Sequence, residues 1–516
     1  MKTIRIYTLS ICIALAAFTA NAQQINTLFF LENAPMRHTI NPAFQPVSSG
    51  FINFSPLGWT TTAGGNTSLT LSDLVYVDPT TGNTITPLHP NGNKKAFLKQ
   101  MRDMTLVNGE LTMGILNMGF RIKEKGYLTI GLNERFELGT SMPKSLPQFL
   151  FGGGMTNFDG GTNTFDLSRL GIATTVYTEL GIGYSKQIND KWTIGGKLKV
   201  LLGQANIGFN SKNLTLDANI EQWHMRGKLQ LEMAAPINFQ ALPLMDNQSI
   251  EELVGDFQNS NVDLSQLVNF NDITAMVLPS GYGAAIDLGF TFKPIENLQI
   301  SAALNDFGAI YWTNAQKYTC TIDTTFVGVG EFEYSDPAFH DEQGNFSTQL
   351  LVDSAMSNLY GLTKGIRMQQ GNAGYLKMIS ARLNIGVDAN FCNNKIGVGL
   401  LSSTRLYNAR LYEEITLGLS FKPCNWFNIA ASYSLMQNGK FSNIGAGLSF
   451  MPKDGINLTL AMDYIPTNYA GIETSSDKTI YVLPYKTKML NLALGFSICW
   501  GTNKKIAKAE KDATNL

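Results

Sequence analysis

The residue types that usually carry out catalysis are few and scattered in this chain. Its four histidines stand apart, with no second ligand at metal-binding spacing: they are His38, His89, His224 and His340. No Gly-x-Ser-x-Gly elbow or phosphate-binding loop occurs, and the glycine runs 152–154 and 160–161 are typical of turns. We therefore expect no metal, no cofactor and no enzyme. A rim hydrolase with a Ser-His pair, acting on lipid, is the alternative.

Cysteine chemistry is equally sparse. Four cysteines follow the first twenty-two residues, too few and too spread out for a disulfide scaffold or a metal cluster; they are Cys320, Cys392, Cys424 and Cys499. Cys392 and Cys424 fall on short turns of the predicted strands. A disulfide between them requires Cα atoms within about 7 Å of each other.

Charged residues recur on one face of the predicted strands, among small residues. They are Glu179, Lys197, Lys199, Asp287, Arg382, Asp388, Glu414 and Asp463. In a membrane barrel, a charge that faces lipid costs several kcal/mol, so these side chains must face the lumen. We take Asp287, Arg382, Asp388 and Asp463 as the main lumen-facing candidates. They line a polar pathway or clamp a ligand, or else they form ion pairs that brace a plugged lumen.

The elements that position these residues belong to an exported protein. Lys2 and Arg5 precede an apolar run over 6–18, and Ala20-Asn21-Ala22 fits a signal-peptide cleavage site, so the mature chain is predicted to begin at Gln23. This run is shorter than the roughly 20 residues of a membrane helix. Charged residues make up only 15% of the chain, and mean hydropathy is −0.03, as in barrels whose strands are apolar on one face. A net charge of −1 gives no indication of nucleic-acid binding.

Strict two-residue alternation predicts the strands. From 490 to 500 every even-numbered residue is apolar and every odd-numbered residue is small or polar. The pattern indicates thirteen strands: 111–122, 127–136, 175–187, 192–202, 282–293, 298–312, 378–389, 396–407, 411–421, 427–436, 441–450, 456–465 and 485–500. Because the first of these must descend, one ascending strand precedes it, from 51–54 or 68–77. The prediction is an all-β, transmembrane antiparallel barrel of about fourteen strands.

Connection lengths support this topology. Short links occur at 123–126, 189–191, 294–297, 391–395, 422–426 and 452–455, and long segments at 137–174, 203–281, 313–377 and 466–484. If the last strand ends in the periplasm, every one of these short links is periplasmic and every long one extracellular, as in bacterial barrels. Segments 402–410 and 437–440 become short outer loops. Within the long segment 203–281, residues 250–270 fit either an amphipathic helix that covers the mouth or a plain loop.

Aromatic residues mark the predicted periplasmic side. Phe292-Lys-Pro, Phe421-Lys-Pro and Phe450-Met-Pro each end a descending strand, and proline interrupts the ladder there. Together with Trp192 and Trp426, these phenylalanines predict an aromatic girdle at the inner membrane interface.

At the mature N-terminus, Asn41-Pro42-Ala43-Phe44 precedes a Gly-rich first strand. This element, with the short Pro-containing turns, resembles the long-chain fatty-acid transporter superfamily of outer-membrane proteins. The similarity extends to an uncharacterised branch and to outer-membrane shuttle components of type IX secretion. The resemblance covers the mature chain as architecture. The last strand, with Phe496 and Trp500, is similar to the signal read by the barrel-assembly machinery.

The residue patterns predict a signal peptide, a barrel and a tail, and the resemblance adds a plug. Residues 1–22 are the signal peptide, 23–47 a plug inside the barrel, 48–500 the barrel itself, and 501–516 a polar periplasmic tail. Asn41, Pro42 and Phe44 would be the plug motif. An N-terminal arm that only ties the barrel floor shut is the alternative for 23–47.

The predicted inward charges are few for a lumen of this size, and glycines recur beside them: Gly181, Gly183, Gly289, Gly386, Gly445 and Gly447. Glycine allows a plug or ligand to approach the backbone closely. We therefore expect passive uptake or binding of a hydrophobic or small amphipathic molecule through a plugged barrel. The alternative is a scaffold or shuttle that binds secreted proteins at the cell surface. Expected partners are outer-membrane lipid, the assembly machinery, and such a ligand or secreted protein.

Overall fold

The computed structural model describes residues 25–55, 58–77, 84–87, 91–151, 162–218, 222–237, 239, 278–327, 368–371, 374–407, 410–424, 426–436, 441–452, 455–467, 469–473 and 480–502. The predicted signal peptide, the candidate helix at 250–270, the 437–440 loop and the tail beyond residue 502 lie outside these residues.

Strands dominate the described chain. In chain order they are β1 Ser48–Phe54, β2 Trp59–Asn66, β3 Tyr76–Val77, β4 Thr84–Ile85, β5 Met104–Ile122, β6 Gly126–Pro143, β7 Asn163–Asp166, β8 Gly171–Gln187, β9 Trp192–Ala218, β10 Gln222–Ala234, β11 Gly281–Ile295, β12 Leu298–Trp312, β13 Ala315–Val327, β14 Met368–Gln370, β15 Tyr375–Met378, β16 Ala381–Phe391, β17 Ile396–Tyr407, β18 Arg410–Cys424, β19 Phe427–Met436, β20 Phe441–Phe450, β21 Gly455–Asp463, β22 Tyr469–Glu473, β23 Ile480–Pro484 and β24 Met489–Thr502. The helices are two 3-10 turns, Asn26–Phe30 and Pro35–Thr39, and three short α-helices, α1 Leu71–Leu74, α2 Lys94–Gln100 and α3 Ser145–Phe151.

Fourteen strand positions close into an antiparallel barrel. They are β1 with β2, β5, β6, β8, β9, β11, β12, β15 with β16, β17, β18, β19, β20, β21 and β24. The first position is interrupted at residues 55–58, and both of its pieces pair with β5 on one side and β24 on the other. Of the two segments proposed for this strand, 51–54 is confirmed. Segment 68–77 is wrong, because it holds α1 and the two-residue β3.

The faces of the barrel are the reverse of those of a soluble protein. In β24, Leu494 is 42% exposed on the outside, whereas Asn491 is 0% exposed in the lumen. An apolar outer surface around a polar interior is the arrangement that a bilayer requires of spanning strands. Aromatic residues lie at the end where the links are short, here called the turn end: Trp192 stacks on Phe292 at 4.4 Å between ring centroids, and Trp426 meets Phe450 edge-on at 5.4 Å.

At the opposite end, here called the loop end, β-structure continues beyond the barrel. The upper part of β9 pairs with β7 and β10, β10 pairs with β13, and β13 pairs with β14. This outer sheet has its own apolar core, in which Phe149 of α3 packs on Phe165 of β7. The long connections 203–281 and 313–377 therefore contain strands that the sequence did not predict, and the alternation of short and long connections is confirmed.

Candidate functional site

The N-terminal segment 25–47 lies inside the barrel, and we call it the plug segment. Its apolar residues, including Leu28, Phe29, Phe30 and Leu31, are buried with Phe44 in the main core cluster. Because the segment is buried and has little regular structure, its backbone N–H and C=O groups need hydrogen-bond partners on the polar wall of the barrel.

Asparagine side chains of the barrel supply those partners. Asn305 and Asn384 donate to the carbonyl of Ile40 at 2.7 and 3.1 Å. Asn428 donates to the carbonyl of Phe30 at 3.4 Å, and Asn457 to that of Asn33 at 3.3 Å. These bonds come from four different strands. They hold a segment with little regular structure of its own in one position.

Glycines on the lumen face make room for the segment. A Cβ at Gly418 would lie 2.3 Å from the ring of Phe30, and one at Gly386 would lie 2.4 Å from the ring of Phe29. Gly445 and Gly447 similarly face Thr27, and Gly289 faces Asn41. Gly181 and Gly183 differ, since their Cβ positions meet Lys197 and Thr129 of the barrel wall instead.

The predicted plug motif contacts β11 and β12. The amide of Asn41 donates to the carbonyls of Phe290 and Ala302, both at 3.2 Å, and its oxygen accepts from the backbone N–H of Ala43 at 2.9 Å. Pro42 lies against the backbone of Gly195. Phe44 packs edge-on against Phe29 at 5.7 Å, and the guanidinium of Arg37 lies 4.0 Å from its ring centroid.

The four lumen-facing candidates separate into different environments. Asp463 is fully buried and accepts from the backbone N–H of Asn26 at 2.6 Å and from the hydroxyl of Thr27. Asp388 accepts from the amide of Gln299 at 3.4 Å. Asp287 and Arg382 belong instead to a layer of ion pairs above the plug segment.

This ion-pair layer crosses the lumen. Glu110 of β5 pairs with both Arg382 and Arg405, which lie side by side on β16 and β17. Arg135 of β6 reaches Asp306 of β12 at 3.2 Å, and Arg382 reaches the same carboxylate at 3.7 Å.

Lys199 and Glu179 complete the layer on the adjoining wall. Lys199 pairs with Asp287 at 2.8 Å, with Glu179 at 3.5 Å and with Asp306. Lys197 also pairs with Glu179, at 3.1 Å. The expectation of few inward charges is wrong, because long side chains gather here into one connected network.

Several members of the layer were not predicted, each for an identifiable reason. Arg135 and Arg405 follow the inward parity of their predicted strands, so continued alternation would have found them. Glu110 lies one residue outside the predicted strand, since β5 begins at Met104. Asp306 has outward parity beside inward Asn305, but a bulge between β11 and β12 and a φ of 57° turn it into the lumen.

Two cavities lie on either side of this layer. The lower cavity, of about 90 Å³, has apolar plug residues such as Leu28, Met36 and Ile40 on one side and the ion-pair layer on the other. The upper cavity, here called the vestibule, is about 390 Å³ and lies toward the loop end. Arg169, Lys212, Lys377, Glu232 and Tyr412 are among its lining residues.

Two ionisable groups of the plug segment have displaced pKa values. Burial alone would raise the pKa of Glu32, but its ion pair with Lys422 and the nearby Arg37 lower it to about 2. Burial lowers the pKa of His38 to about 4, and Lys197 and Lys199 add to this effect. His38 bonds the carbonyl of Pro35 through Nδ1 at 2.9 Å. At neutral pH the charged Glu32 therefore stabilises the seated plug and the neutral His38 does not oppose it, whereas acid weakens the plug through both groups.

Other predicted chemistry is not assembled in the described residues. Cys392 and Cys424 form no disulfide with each other, and neither do Cys320 and Cys499. No group of three His, Cys, Asp or Glu side chains with metal-binding geometry occurs within the described ranges. None of the helices in this part of the chain is long and apolar enough to cross a membrane.

A closed barrel with an apolar exterior, a polar lumen and an internal N-terminal segment has the architecture of an outer-membrane β-barrel. By sequence, the chain belongs to the family of unknown function DUF5723, whose model matches residues 42–463. A comparison with curated proteins finds no match.

The chain is also similar, at low sequence identity, to several solved structures. The toluene transporter TbuX of Ralstonia pickettii is 9% identical, with 86% of this chain and 90% of that chain covered and a TM-score of 0.35. The toluene transporter TodX of Pseudomonas putida is 9% identical (94% and 95% covered, TM-score 0.37). A FadL homologue of Pseudomonas aeruginosa is 10% identical (93% and 98% covered, TM-score 0.39).

Proposed function

We propose that this protein lies in the outer membrane and is a non-enzymatic, plugged barrel that binds a small amphipathic molecule and admits it passively. The lower cavity carries this proposal. Its floor is apolar plug surface, and its opposite wall consists of arginines, a lysine and carboxylates. Such a site suits a ligand with a short apolar part and a polar head, since each part finds a matching surface.

Passage would require movement of the plug segment. The bonds from Asn305, Asn384, Asn428 and Asn457 hold it, but each is a neutral hydrogen bond worth about 0.5–1.5 kcal/mol net. The plug is also held by the bonds of Asp463 to Asn26 and Thr27 and by the Glu32–Lys422 ion pair, so a bound ligand has to break several non-covalent contacts together to loosen it.

The test is planar-bilayer conductance of the purified protein. The full-length chain should pass almost no ions, and deletion of 25–47 should open a steady pore. A heat-modifiability check on both proteins confirms that each barrel has closed. Large steady conductance of the full-length protein would identify an ordinary water-filled pore and reject the proposal.

The second candidate, a surface scaffold or shuttle for secreted proteins, is favoured by the outer sheet. That sheet has its own core and presents exposed charged residues such as Arg226 and Lys228. Replacing both residues by alanine should reduce capture of secreted proteins by cells if the scaffold function is correct. Solute release from proteoliposomes should then be unchanged.

A further inference from the structure

The vestibule and the lower cavity are separated by a thin layer of side chains. Along β5, Leu106 and Asn108 line the vestibule, whereas Glu110 and Thr112 line the lower cavity. The boundary between the two spaces therefore runs at Glu110.

Neighbouring strands show the same boundary at the same height. On β6, Gly139 lines the vestibule and Arg135 the lower cavity, so Glu137 lies between them. Glu137 is directly opposite Glu110 in the sheet and accepts from the hydroxyl of Tyr177 at 3.0 Å.

Glu110 is the only described residue that both Arg382 and Arg405 contact as an ion pair. Its two carboxylate oxygens each meet one guanidinium, which makes a bridge from β5 across the lumen to β16 and β17. The arginines have additional anchors: Arg405 donates to the hydroxyl of Ser380 at 2.6 Å, and Arg382 pairs with Asp306 at 3.7 Å. They would stay in place if Glu110 moved away.

We infer that this Arg382–Glu110–Arg405 bridge is a second barrier above the plug, one that holds back organic solutes but lets small ions pass, and that an organic carboxylate entering from the vestibule opens it by replacing Glu110. A carboxylate offers the two guanidiniums the same charge-assisted contacts that Glu110 makes. The exchange therefore replaces the two ion pairs of Glu110 by two equivalent ones, so neither arginine is left buried without a partner. Glu110 would then turn toward Arg135, which is paired with nearby Thr112 in the sheet and lines the same lower cavity.

The vestibule has the charge that this ligand class requires. Arg169, Lys212 and Lys377 face it, against one carboxylate, Glu232, which is already paired with Lys317 at 3.1 Å. A cleft with an excess of one charge concentrates ligands of the opposite charge. The inference deepens the proposed function, on which it rests, by assigning a negative charge to the polar head of the ligand.

A buried reporter in the full-length protein tests the barrier. Ala63 lines the lower cavity and is almost fully buried. We would introduce Ala63→Cys with Cys392→Ser and Cys424→Ser, and measure its labelling rate with an anionic methanethiosulfonate reagent. Glu110→Gln should raise this rate several-fold, whereas the control Asp323→Asn, in the outer sheet, should not change it.

Octanoate then tests the exchange without altering Glu110, which keeps the result independent of any folding defect in the variant. Octanoate should accelerate labelling, octanol should not, and octanoate should have no further effect in Glu110→Gln. Equal labelling rates with octanoate and octanol would overturn the inference. So would equal labelling rates of the reporter in the protein with Glu110 and in the Glu110→Gln variant. If octanoate opens the layer but proteoliposomes release no amphipathic solute, the proposed uptake alone is rejected.

Discussion

Gly418→Ala should loosen the plug because it adds a methyl group where the ring of Phe30 already touches the barrel wall. The new Cβ would lie 2.3 Å from ring carbon atoms, well inside van der Waals contact, and the closed sheet behind Gly418 cannot yield. Overpacking of this kind costs about 1–3 kcal/mol. At about 1.4 kcal/mol for each factor of ten, the released plug should be populated roughly 5- to 150-fold more often.

The assay is the frequency of channel openings in a planar bilayer, compared with the parent protein. Gly208→Ala is the matched control, since Gly208 also faces the lumen but its added Cβ meets only the far end of Lys377, at 3.5 Å, and the side chain of Glu232. Phe30→Leu in the Gly418→Ala background should restore closure, because the smaller side chain no longer occupies the position of the new methyl group. The reasoning fails if Gly418→Ala opens no more often than Gly208→Ala, or if Phe30→Leu does not reverse its effect.

Three further predictions follow from the same geometry. Leu198 is 71% exposed on the lipid face, so Leu198→Arg should cost about 2–4 kcal/mol and reduce the yield of heat-modifiable barrel, whereas Leu198→Phe should not. Channel openings should increase as pH falls from 6.5 toward 4. In the seated plug the pKa of His38 is about 4, so His38 binds a proton in this range only when the plug is released. His38→Gln should remove this increase. Below pH 4.5 the low pKa of Glu32 acts in the same direction, so openings should increase again toward pH 2. A tag in 466–484 should be labelled on intact cells and one in 452–455 should not, and the reverse pattern would invert the topology.

The barrel was predictable because alternation is a local property. The residue type at each position of β24 shows which face it occupies, and the membrane requires the apolar face to lie outside. Connection lengths then supplied the direction of each strand. Neither signal depends on which strands are neighbours across the lumen.

The site was only partly predictable, because its partners are far apart in sequence. Asp287 and Arg382 were recognised as inward, but nothing local indicates that Arg382 meets Glu110 from the opposite wall. The inward position of Asp306 could not be predicted, because a bulge reverses the alternation of inward and outward side chains there. No proline or glycine at the bulge itself marks it in the sequence. The outer sheet was missed because its strands lie beyond the bilayer, where the alternation no longer has to match a lipid face.

The position of the plug segment has a consequence for how the protein folds. Thr27 bonds Asp463, 436 positions away, and β1 closes the sheet against β24, so the N-terminal residues reach their final partners only after the last strand has formed. Contacts between distant parts of a chain form slowly, since the loop-closure entropy is lost before the contacts form. The N-terminal segment is therefore synthesised first but docks late, and its apolar side chains stay exposed until it docks. A chaperone that shields residues 25–31 would protect the chain during that interval.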